Sequence, residues 1–363
     1  MGWGLRIAAG ALTVLTAGSG LVFWGALRVM APGPLEHAET VVIPRGSGLE
    51  AIALTLEDAG VVDSPILFLF AAKLQGPLKA GEYAFPAGIS VDGVLEMLHQ
   101  GKTVVRRFTV PEGLTSAQVV ALLDAEPALT GELKTVPKNG TVLPETYHYS
   151  YGDSRSALVE RMQHAMTQAL NDAWKNRGPD LPYETPQQAL TMASIVEKET
   201  GVAAERAKVA GVFVNRLETG MKLQSDPTVI YALTDGSGEL GRALTRNDWK
   251  FESPYNTYVA AGLPPGPIAN PGRASIQAAL HPEKHDFLYF VADGTGGHVF
   301  AKTLPDHNRN VAKWREVQRR SRMVRATGTR RRTSGPLFPN GKPVGQAAFD
   351  ATTSRATTPP RAP

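Results

Sequence analysis

Residues 7–27 carry no ionisable side chain, and this apolar run constrains the fold of the chain more than any other feature. A helix of that length spans about 31 Å, which matches the hydrocarbon thickness of a bilayer, whereas a buried core helix rarely stays apolar on every face. A cleaved signal peptide is the alternative, but its apolar segment is usually shorter, and no Ala-x-Ala site stands directly after Leu27. We therefore expect an uncleaved single-pass transmembrane helix, preceded by a cytoplasmic stub of residues 1–6.

The chain contains no cysteine, which excludes disulfides, thiolate metal sites and cysteine nucleophiles. Its net charge of +4 and its pI near 9.2 come from one end of the sequence. Residues 321–363 hold eight lysines and arginines against one acidic residue, so the rest of the chain is slightly acidic. A basic groove for nucleic acid is therefore not expected, and we predict that 321–363 is a disordered basic tail.

The order of secondary-structure signals predicts an α+β protein. A strand from Glu39, a helix over 48–59, an apolar stretch over 65–73 and a strand from Gly81 outline a small β-α-α-β module within residues 39–104. Helical and strand patterns then alternate in a mixed α+β catalytic domain over 105–320. It includes a hairpin around the turn Asp293-Gly-Thr-Gly-Gly. Further helices are predicted at 90–100, 115–123, 154–175, from 185 towards Gly201, at 203–217 and at 308–320.

One predicted helix carries two glutamates, Glu197 and Glu199, and begins with the capping signal Thr185-Pro-Gln-Gln. At about 100° per residue the two side chains point roughly 200° apart, so they cannot form one site together. Glu199 shares its stripe with Val196, Ile195 and Met192, in the last turn of the helix. Burial and the negative helix end should raise the pKa of Glu199, as a general acid requires. The alternative is an exposed acid that pairs with a lysine or arginine one turn away.

Five segments occur in one order along the chain. They are Ala193-Ser-Ile-Val-Glu-Lys-Glu-Thr, Gln224-Ser-Asp-Pro-Thr-Val-Ile-Tyr231, Tyr255-Asn-Thr-Tyr258, Gly262-Leu-Pro-Pro-Gly266 and Tyr289-Phe-Val-Ala-Asp-Gly294. Together they closely resemble the endolytic murein transglycosylase family, also called MltG or YceG-like, and the resemblance covers roughly residues 1–320. It implies a LysM-like domain at 39–104 and an essential glutamate at Glu199, the second glutamate of the Glu-Lys-Glu triplet.

The resemblance also implies the reaction and the location. Such an enzyme is a lyase of the inner membrane with its catalytic domain in the periplasm. It cleaves the MurNAc–GlcNAc β-1,4 bond within peptidoglycan strands, leaves 1,6-anhydroMurNAc ends, and so limits the length of nascent strands. Its implied partners are glycan strands, the inner membrane, and peptidoglycan synthases or the divisome, and it needs no cofactor. One acid suffices, because the MurNAc C6 hydroxyl replaces the water that a hydrolase directs with a second carboxylate.

Several polar residues near these motifs are candidates for binding substrate. Asp226 and Glu197 are the candidates for a second carboxylate, although Asp226 precedes a proline and could equally serve in a turn or helix cap. Amide, hydroxyl and aromatic groups suit N-acetyl sugars, or else tie a loop to backbone groups. The candidates of this kind are Gln224, Ser225, Tyr255, Asn256, Thr257 and Tyr258.

No metal site is expected, because Pro282 separates His281 from His285 and no third ligand stands out. Two alternatives to a transglycosylase remain. The first is a lysozyme-type muramidase that uses Glu199 with Asp226. The second is a non-catalytic glycan-binding or divisome scaffold with an inactive site.

Overall fold

A computed structural model describes the backbone of residues 3–326. These residues form two compact units. The first contains the described residues up to Phe108 together with Glu126–Gly131 and His148–Arg155. The second contains Thr109–Ala125, Glu132–Tyr147 and the described residues from Ser156 onward.

The first unit contains the predicted β-α-α-β order. Its elements are α1 (Trp3–Met30), β1 (Glu39–Ile43), α2 (Leu49–Asp58), α3 (Pro65–Gln75), β2 (Gly81–Phe85) and α4 (Val91–Gln100). Strands β1 and β2 pair antiparallel, with Val41 opposite Tyr83. This strand pair and the helices enclose an apolar core in which Phe68 and Leu95 are fully buried. The likeness to a LysM domain stays a prediction.

Helix α1 covers the whole apolar run of residues 7–27, as predicted. Its C-terminal end packs against the first unit, where Val29 contacts the core and Arg28 forms a 3.1 Å ion pair with Asp63. Among the described residues, no helix meets the length and apolarity that crossing a membrane requires. The predicted transmembrane helix is therefore not confirmed.

The second unit is mainly helical, and its strands β5 (Tyr289–Ala292) and β6 (His298–Ala301) form the predicted antiparallel hairpin. Strands β3 (Arg106–Thr109) and β4 (Thr146–Tyr149) form another two-stranded sheet, whose residues are divided between the two units. The helices are α5 (Ser116–Asp124), α6 (Arg155–Lys175), α7 (Pro186–Glu199), α8 (Arg206–Glu218), α9 (Asp226–Thr234), α10 (Arg273–Leu280) and α11 (Leu304–Ala326).

Helix α7 lies at the centre of the second unit, and its fully buried residues include Met192, Ile195 and Val196. It begins as predicted: Thr185 Oγ1 accepts a hydrogen bond from the Gln188 backbone N–H at 3.3 Å, and Gln188 Oε1 accepts from the Thr185 N–H at 3.1 Å. Helices α8, α9 and α10 pack against α7. This packing brings the last turn of α7 and the first turn of α9 to one place.

Three parts of the sequence prediction differ from the structure. Helices α9 and α10 were not predicted, because glycine and proline in and around residues 234–275 favour loops. Strand β4 was also missed. The tail prediction places disorder from residue 321, but α11 continues to Ala326, and residues 327–363 lie outside the described part of the chain.

Candidate active site

Glu199 is the last residue of α7, and its side chain is buried, with 7% of its surface exposed. Its Oε1 accepts a 2.6 Å hydrogen bond from the hydroxyl of Ser225, the residue just before α9. The following residues Thr200 and Gly201 leave the helix, so the carboxyl lies at the negative end of α7.

The environment of Glu199 favours its protonated form. Burial is the main cause and raises the pKa of the carboxyl above its ordinary value. The hydrogen bond from Ser225 and the electrostatic effects of His298 and Arg216 lower the pKa of Glu199, but each is smaller than the effect of burial. A carboxylic acid held protonated near neutral pH is suited to donate a proton to a leaving group.

A second carboxyl, Asp226, lies beside this group at the first position of α9, and it is 9% exposed. Its Oδ1 accepts hydrogen bonds from the Tyr258 hydroxyl at 2.7 Å and from Trp249 Nε1 at 3.1 Å. Burial raises the pKa of Asp226 to about 7. The bond from Tyr258 lowers this pKa, the charge on Glu199 raises it, and the bond from Trp249 lowers it.

The loop that contains Tyr258 is held mainly by its own backbone. Asn256 is fully buried, and its amide Nδ2 donates to the carbonyl oxygens of Trp249 and Phe251 at 3.1 and 2.8 Å. Thr257 is also fully buried, and its Oγ1 accepts from the Ser225 backbone N–H at 3.0 Å. Both side chains therefore bind backbone groups and hold the loop in place, which is the alternative to substrate binding given for them in the sequence analysis.

Two other candidates lie near this loop. Gln224 has a positive φ of 48° and donates its backbone N–H to the Thr257 carbonyl oxygen at 3.2 Å. The ring of Tyr255 lies 4.7 Å from that of Tyr231. Tyr255 is only partly buried, so its ring can contact a sugar, whereas the described contact of Gln224 is structural.

Glu197 points to a different part of the unit, as the helix periodicity predicts. Its Oε2 accepts a 2.9 Å hydrogen bond from the Gly272 backbone N–H, and Arg206 lies 3.8 Å from its Oε1. Glu197 therefore fixes the start of α10, and the second carboxyl next to Glu199 is Asp226.

Three residues of this site were missed by sequence reasoning. Arg216, on α8, donates to the carbonyl oxygens of Leu288 and Leu223 at 2.7 and 2.6 Å. His298, on β6, contacts the Glu205 carboxylate through Nδ1 at 2.7 Å. Trp249 stacks on Tyr258 with ring centroids 5.8 Å apart. Arg216 could have been noticed as a single arginine on the apolar face of a predicted helix.

Within the described residues, no group of three histidine, aspartate or glutamate side chains is arranged to hold a metal ion. His285 instead links two segments of the fold. Its Nε2 lies 2.9 Å from the Lys208 carbonyl oxygen, and its own carbonyl oxygen accepts from Asn215 Nδ2 at 2.7 Å.

Comparison with known proteins finds a family and several relatives that this chain resembles. Residues 41–313 match the model of the YceG-like family. A Bacillus subtilis protein named endolytic murein transglycosylase is 34% identical over 305 residues, which cover 75% of this chain and 83% of that protein.

A protein of the same name from Streptococcus pneumoniae serotype 2 is 33% identical over 325 residues. The match covers 76% of this chain but 58% of the streptococcal protein, so the chain spans little more than half of that relative. A crystal structure of a YceG-like protein from Listeria monocytogenes is 33% identical, with a TM-score of 0.49, and the match covers 76% of this chain and 99% of that one.

Proposed function

The chain belongs to the YceG-like family, and on that premise we propose that it is an endolytic lytic transglycosylase, a lyase that cleaves peptidoglycan within its glycan strands. Relatives that carry this name match three quarters of the chain. The observation that carries the proposal is the buried carboxyl of Glu199, which stands at the end of α7 with a raised pKa.

In the proposed reaction, Glu199 performs both proton transfers. Its protonated carboxyl gives a proton to the oxygen of the MurNAc–GlcNAc β-1,4 bond as the bond to C1 breaks. The C6 hydroxyl of the same MurNAc then attacks C1, and the carboxylate of Glu199 takes the hydroxyl proton. The products are a 1,6-anhydroMurNAc end and a free GlcNAc end, and Glu199 is protonated again.

Glu199 is a buried acid, and the proposed reaction with an internal nucleophile needs no second carboxylate to direct water. Its one described hydrogen-bond partner is Ser225, and the ionised form gains only that single donor. An intramolecular hydroxyl also avoids the entropy of positioning a water molecule. Cleavage inside nascent strands would limit their length, and peptidoglycan synthases or the divisome are then the proposed partners.

Glu199→Gln tests the proposed function, because it keeps the shape of the side chain and removes the acid. Incubation of the variant with purified peptidoglycan should release no glycan fragments, whereas the wild-type protein should release fragments with anhydro ends. Glu218→Gln, at the exposed end of α8, is the matched control and should keep full activity. An active Glu199→Gln protein would overturn Glu199 as the acid, and a wild-type protein that releases no fragments would favour the non-catalytic scaffold.

Asp226 gives a specific reason to test the muramidase alternative. The charge on Glu199 raises the pKa of Asp226, and a retaining or inverting glycosidase uses such a pair of neighbouring carboxyls. Mass spectrometry of the wild-type digest separates the two reactions. Anhydro ends support the transglycosylase, and reducing MurNAc ends would overturn it in favour of hydrolysis.

The proposed substrate also sets the proposed location. Peptidoglycan lies outside the cytoplasmic membrane, so the catalytic domain must be exported. We place it in the periplasm, with residues 7–27 as an anchor in the inner membrane. A reporter enzyme that is active only outside the cytoplasm, fused after residue 320, should be active, and the protein should resist extraction from membranes by alkaline carbonate. Release into the soluble fraction would contradict the anchor.

A further inference from the structure

The mechanism above uses Glu199 but leaves the second buried carboxyl unexplained. Only 9% of the surface of Asp226 is exposed, so the residue is more than nine-tenths buried. Its Oδ1 accepts two hydrogen bonds, whereas its Oδ2 has no hydrogen-bond partner among the described residues. Buried polar atoms without a partner are rare in folded proteins, and they often mark a functional site.

The two carboxyls are electrostatically coupled. After burial, which is the main cause, the charge on Glu199 also raises the pKa of Asp226. The interaction between two titrating groups is reciprocal, so a negative charge on Asp226 likewise disfavours the ionisation of Glu199. Neither carboxyl lies within ion-pair distance of a lysine, arginine or histidine in the described part of the chain. Two negative charges without a bound cation are strongly disfavoured in a buried site, so the pair retains one proton above a pH of about 7, where one carboxyl has ionised.

The helix ends determine which carboxyl holds that proton. Glu199 ends α7, where the helix dipole is negative and disfavours a second negative charge. Asp226 begins α9, where the dipole is positive and stabilises a carboxylate. Asp226 also accepts hydrogen bonds from Tyr258 and Trp249, whereas Glu199 accepts one from Ser225. All of these differences place the proton on Glu199.

Other charged groups surround the two carboxyls. Arg216 and His298 both favour an ionised Glu199, but each is already engaged by other acceptors: Arg216 by two carbonyl oxygens and His298 by the Glu205 carboxylate. The titratable and charged groups that face the pair are Arg216, Tyr258 and His298, and Tyr289 and His307 lie beside Arg216.

We propose that Asp226 is the ionised partner of Glu199, and that its negative charge keeps Glu199 protonated at the pH at which the enzyme works. Asp226 is thus a positioning residue that acts through Glu199. The bonds made and broken are unchanged: Glu199 gives its proton to the leaving oxygen and regains one from the C6 hydroxyl, while Asp226 keeps its charge. The inference rests on the proposed role of Glu199 as the acid.

Asp226→Asn tests the inference, because asparagine still accepts the two hydrogen bonds through its carbonyl oxygen but carries no charge. Without that charge, the pKa of Glu199 falls and the acid is lost at lower pH. The alkaline limb of kcat against pH, measured as release of anhydro fragments from purified peptidoglycan, should move to lower pH. On the acidic side of the limb, kcat should return to within about twofold of wild type. Equal loss at every pH would overturn the inference and indicate a structural role.

Tyr258→Phe provides a second variant that keeps Asp226. Loss of the hydroxyl donor destabilises the charge on Asp226, so the alkaline limb should move in the same direction. In the double variant with Asp226→Asn, the limb should move no further than in Asp226→Asn alone. Additive displacements would contradict the inference. Tyr183→Phe is the matched control, because Tyr183 is buried and its hydroxyl has no partner among the described residues. The alkaline limb of kcat against pH for Tyr183→Phe should stay at the wild-type position.

The protonation of Glu199 can also be measured without activity. Infrared spectra of protein with isotope-labelled glutamate carboxyls, with Glu199→Gln to assign the band, should show Glu199 losing its proton at lower pH in Asp226→Asn. An unchanged titration would overturn the inference. If Glu199→Gln remains active, the proposed function fails. If Glu199→Gln is inactive but the Asp226→Asn limb does not move, only the present inference fails.

Discussion

The hydroxyl of Ser225 donates a 2.6 Å hydrogen bond to Oε1 of Glu199, and this bond joins the start of α9 to the end of α7. It opposes the effect of burial, since it stabilises the ionised carboxyl and lowers its pKa. The bond therefore assists the second half of the proposed reaction, in which Glu199 acts as a carboxylate.

Ser225→Ala should raise the pKa of Glu199, because the only described donor to its carboxyl is removed. Glu199 then keeps its proton to higher pH, and the alkaline limb of kcat should move upward, opposite to the displacement expected for Asp226→Asn. The maximal rate should fall by about tenfold, since the carboxylate that accepts the C6 hydroxyl proton loses a charge-assisted hydrogen bond.

A matched control exists for this substitution. Ser275 on α10 is fully buried, and its hydroxyl has no hydrogen-bond partner among the described residues. Ser275→Ala should therefore change neither the limb nor the maximal rate. A Ser225→Ala protein with a wild-type pH profile would show that the Ser225 bond does not affect the ionisation of Glu199.

The active-site carboxyls should reduce stability as pH rises. Burial raises the pKa of Asp226 from 3.8 to about 7, so between these values the folded state binds more protons than the unfolded state. The free energy of unfolding falls with rising pH in that window, by about 1.4 kcal/mol for each unit of pKa shift. Asp226→Asn should remove this loss and stabilise the protein by a few kcal/mol at pH 8, but not at pH 4. Denaturant unfolding at the two pH values measures this difference.

Asp248 should affect the pH dependence of the free energy of unfolding in the direction opposite to Asp226. Arg242 and the backbone N–H of Thr245 donate to its carboxylate and hold its pKa below the ordinary value. Its stabilising effect is thus present above the unfolded pKa and is lost as pH falls through the folded pKa. Asp248→Asn should destabilise the protein at pH 8 and have less effect at acidic pH. Two variants with the same pH trend would contradict these assignments.

Part of this site could be predicted from sequence because it depends on local geometry. The capping residues Thr185 and Gln188 set the start of α7, and the helical period then places Glu199 and Glu197 on different faces. The raised pKa of Glu199 also follows from its apolar stripe and its place in the last turn.

The remaining features of the site depend on contacts between segments that are distant in the sequence. Arg216 and His298 affect Glu199 only because α8 and β6 pack beside α7 in the folded unit, and no local spacing predicts this. Helix α10 was missed for a related reason. It has eight residues, and packing against α7 and α8 rather than a strong cap stabilises it.

The buried guanidinium of Arg216 should be important for folding as well as for the site. It donates to the carbonyl oxygens of Leu288 and Leu223, and its guanidinium lies 5.4 Å from the centre of the Tyr289 ring. Arg216→Met should cost about 3 kcal/mol or more, because the buried carbonyl of Leu223 and the partly buried carbonyl of Leu288 lose charged donors. The exposed Arg177→Met is the control, with an expected loss below about 1 kcal/mol. Equal unfolding midpoints for the two variants would contradict this role.

Gly211 on α8 should be required by close packing. A Cβ atom at this position would lie 2.4 Å from the Glu283 carbonyl oxygen and 2.7 Å from His285 Nε2. The carbonyl cannot easily retreat, because the Glu283 N–H is bound to the Ala207 carbonyl oxygen at 2.9 Å. Gly211→Ala should therefore destabilise the protein by about 1–3 kcal/mol despite the higher helix propensity of alanine, since overpacking outweighs a gain of about 1 kcal/mol. Gly201→Ala is the control: its Cβ would have no neighbour within 4 Å and its φ is not positive, so its thermal unfolding should match wild type. If both alanine variants unfold at the wild-type temperature, the loop at Glu283 moves away from α8 at little cost.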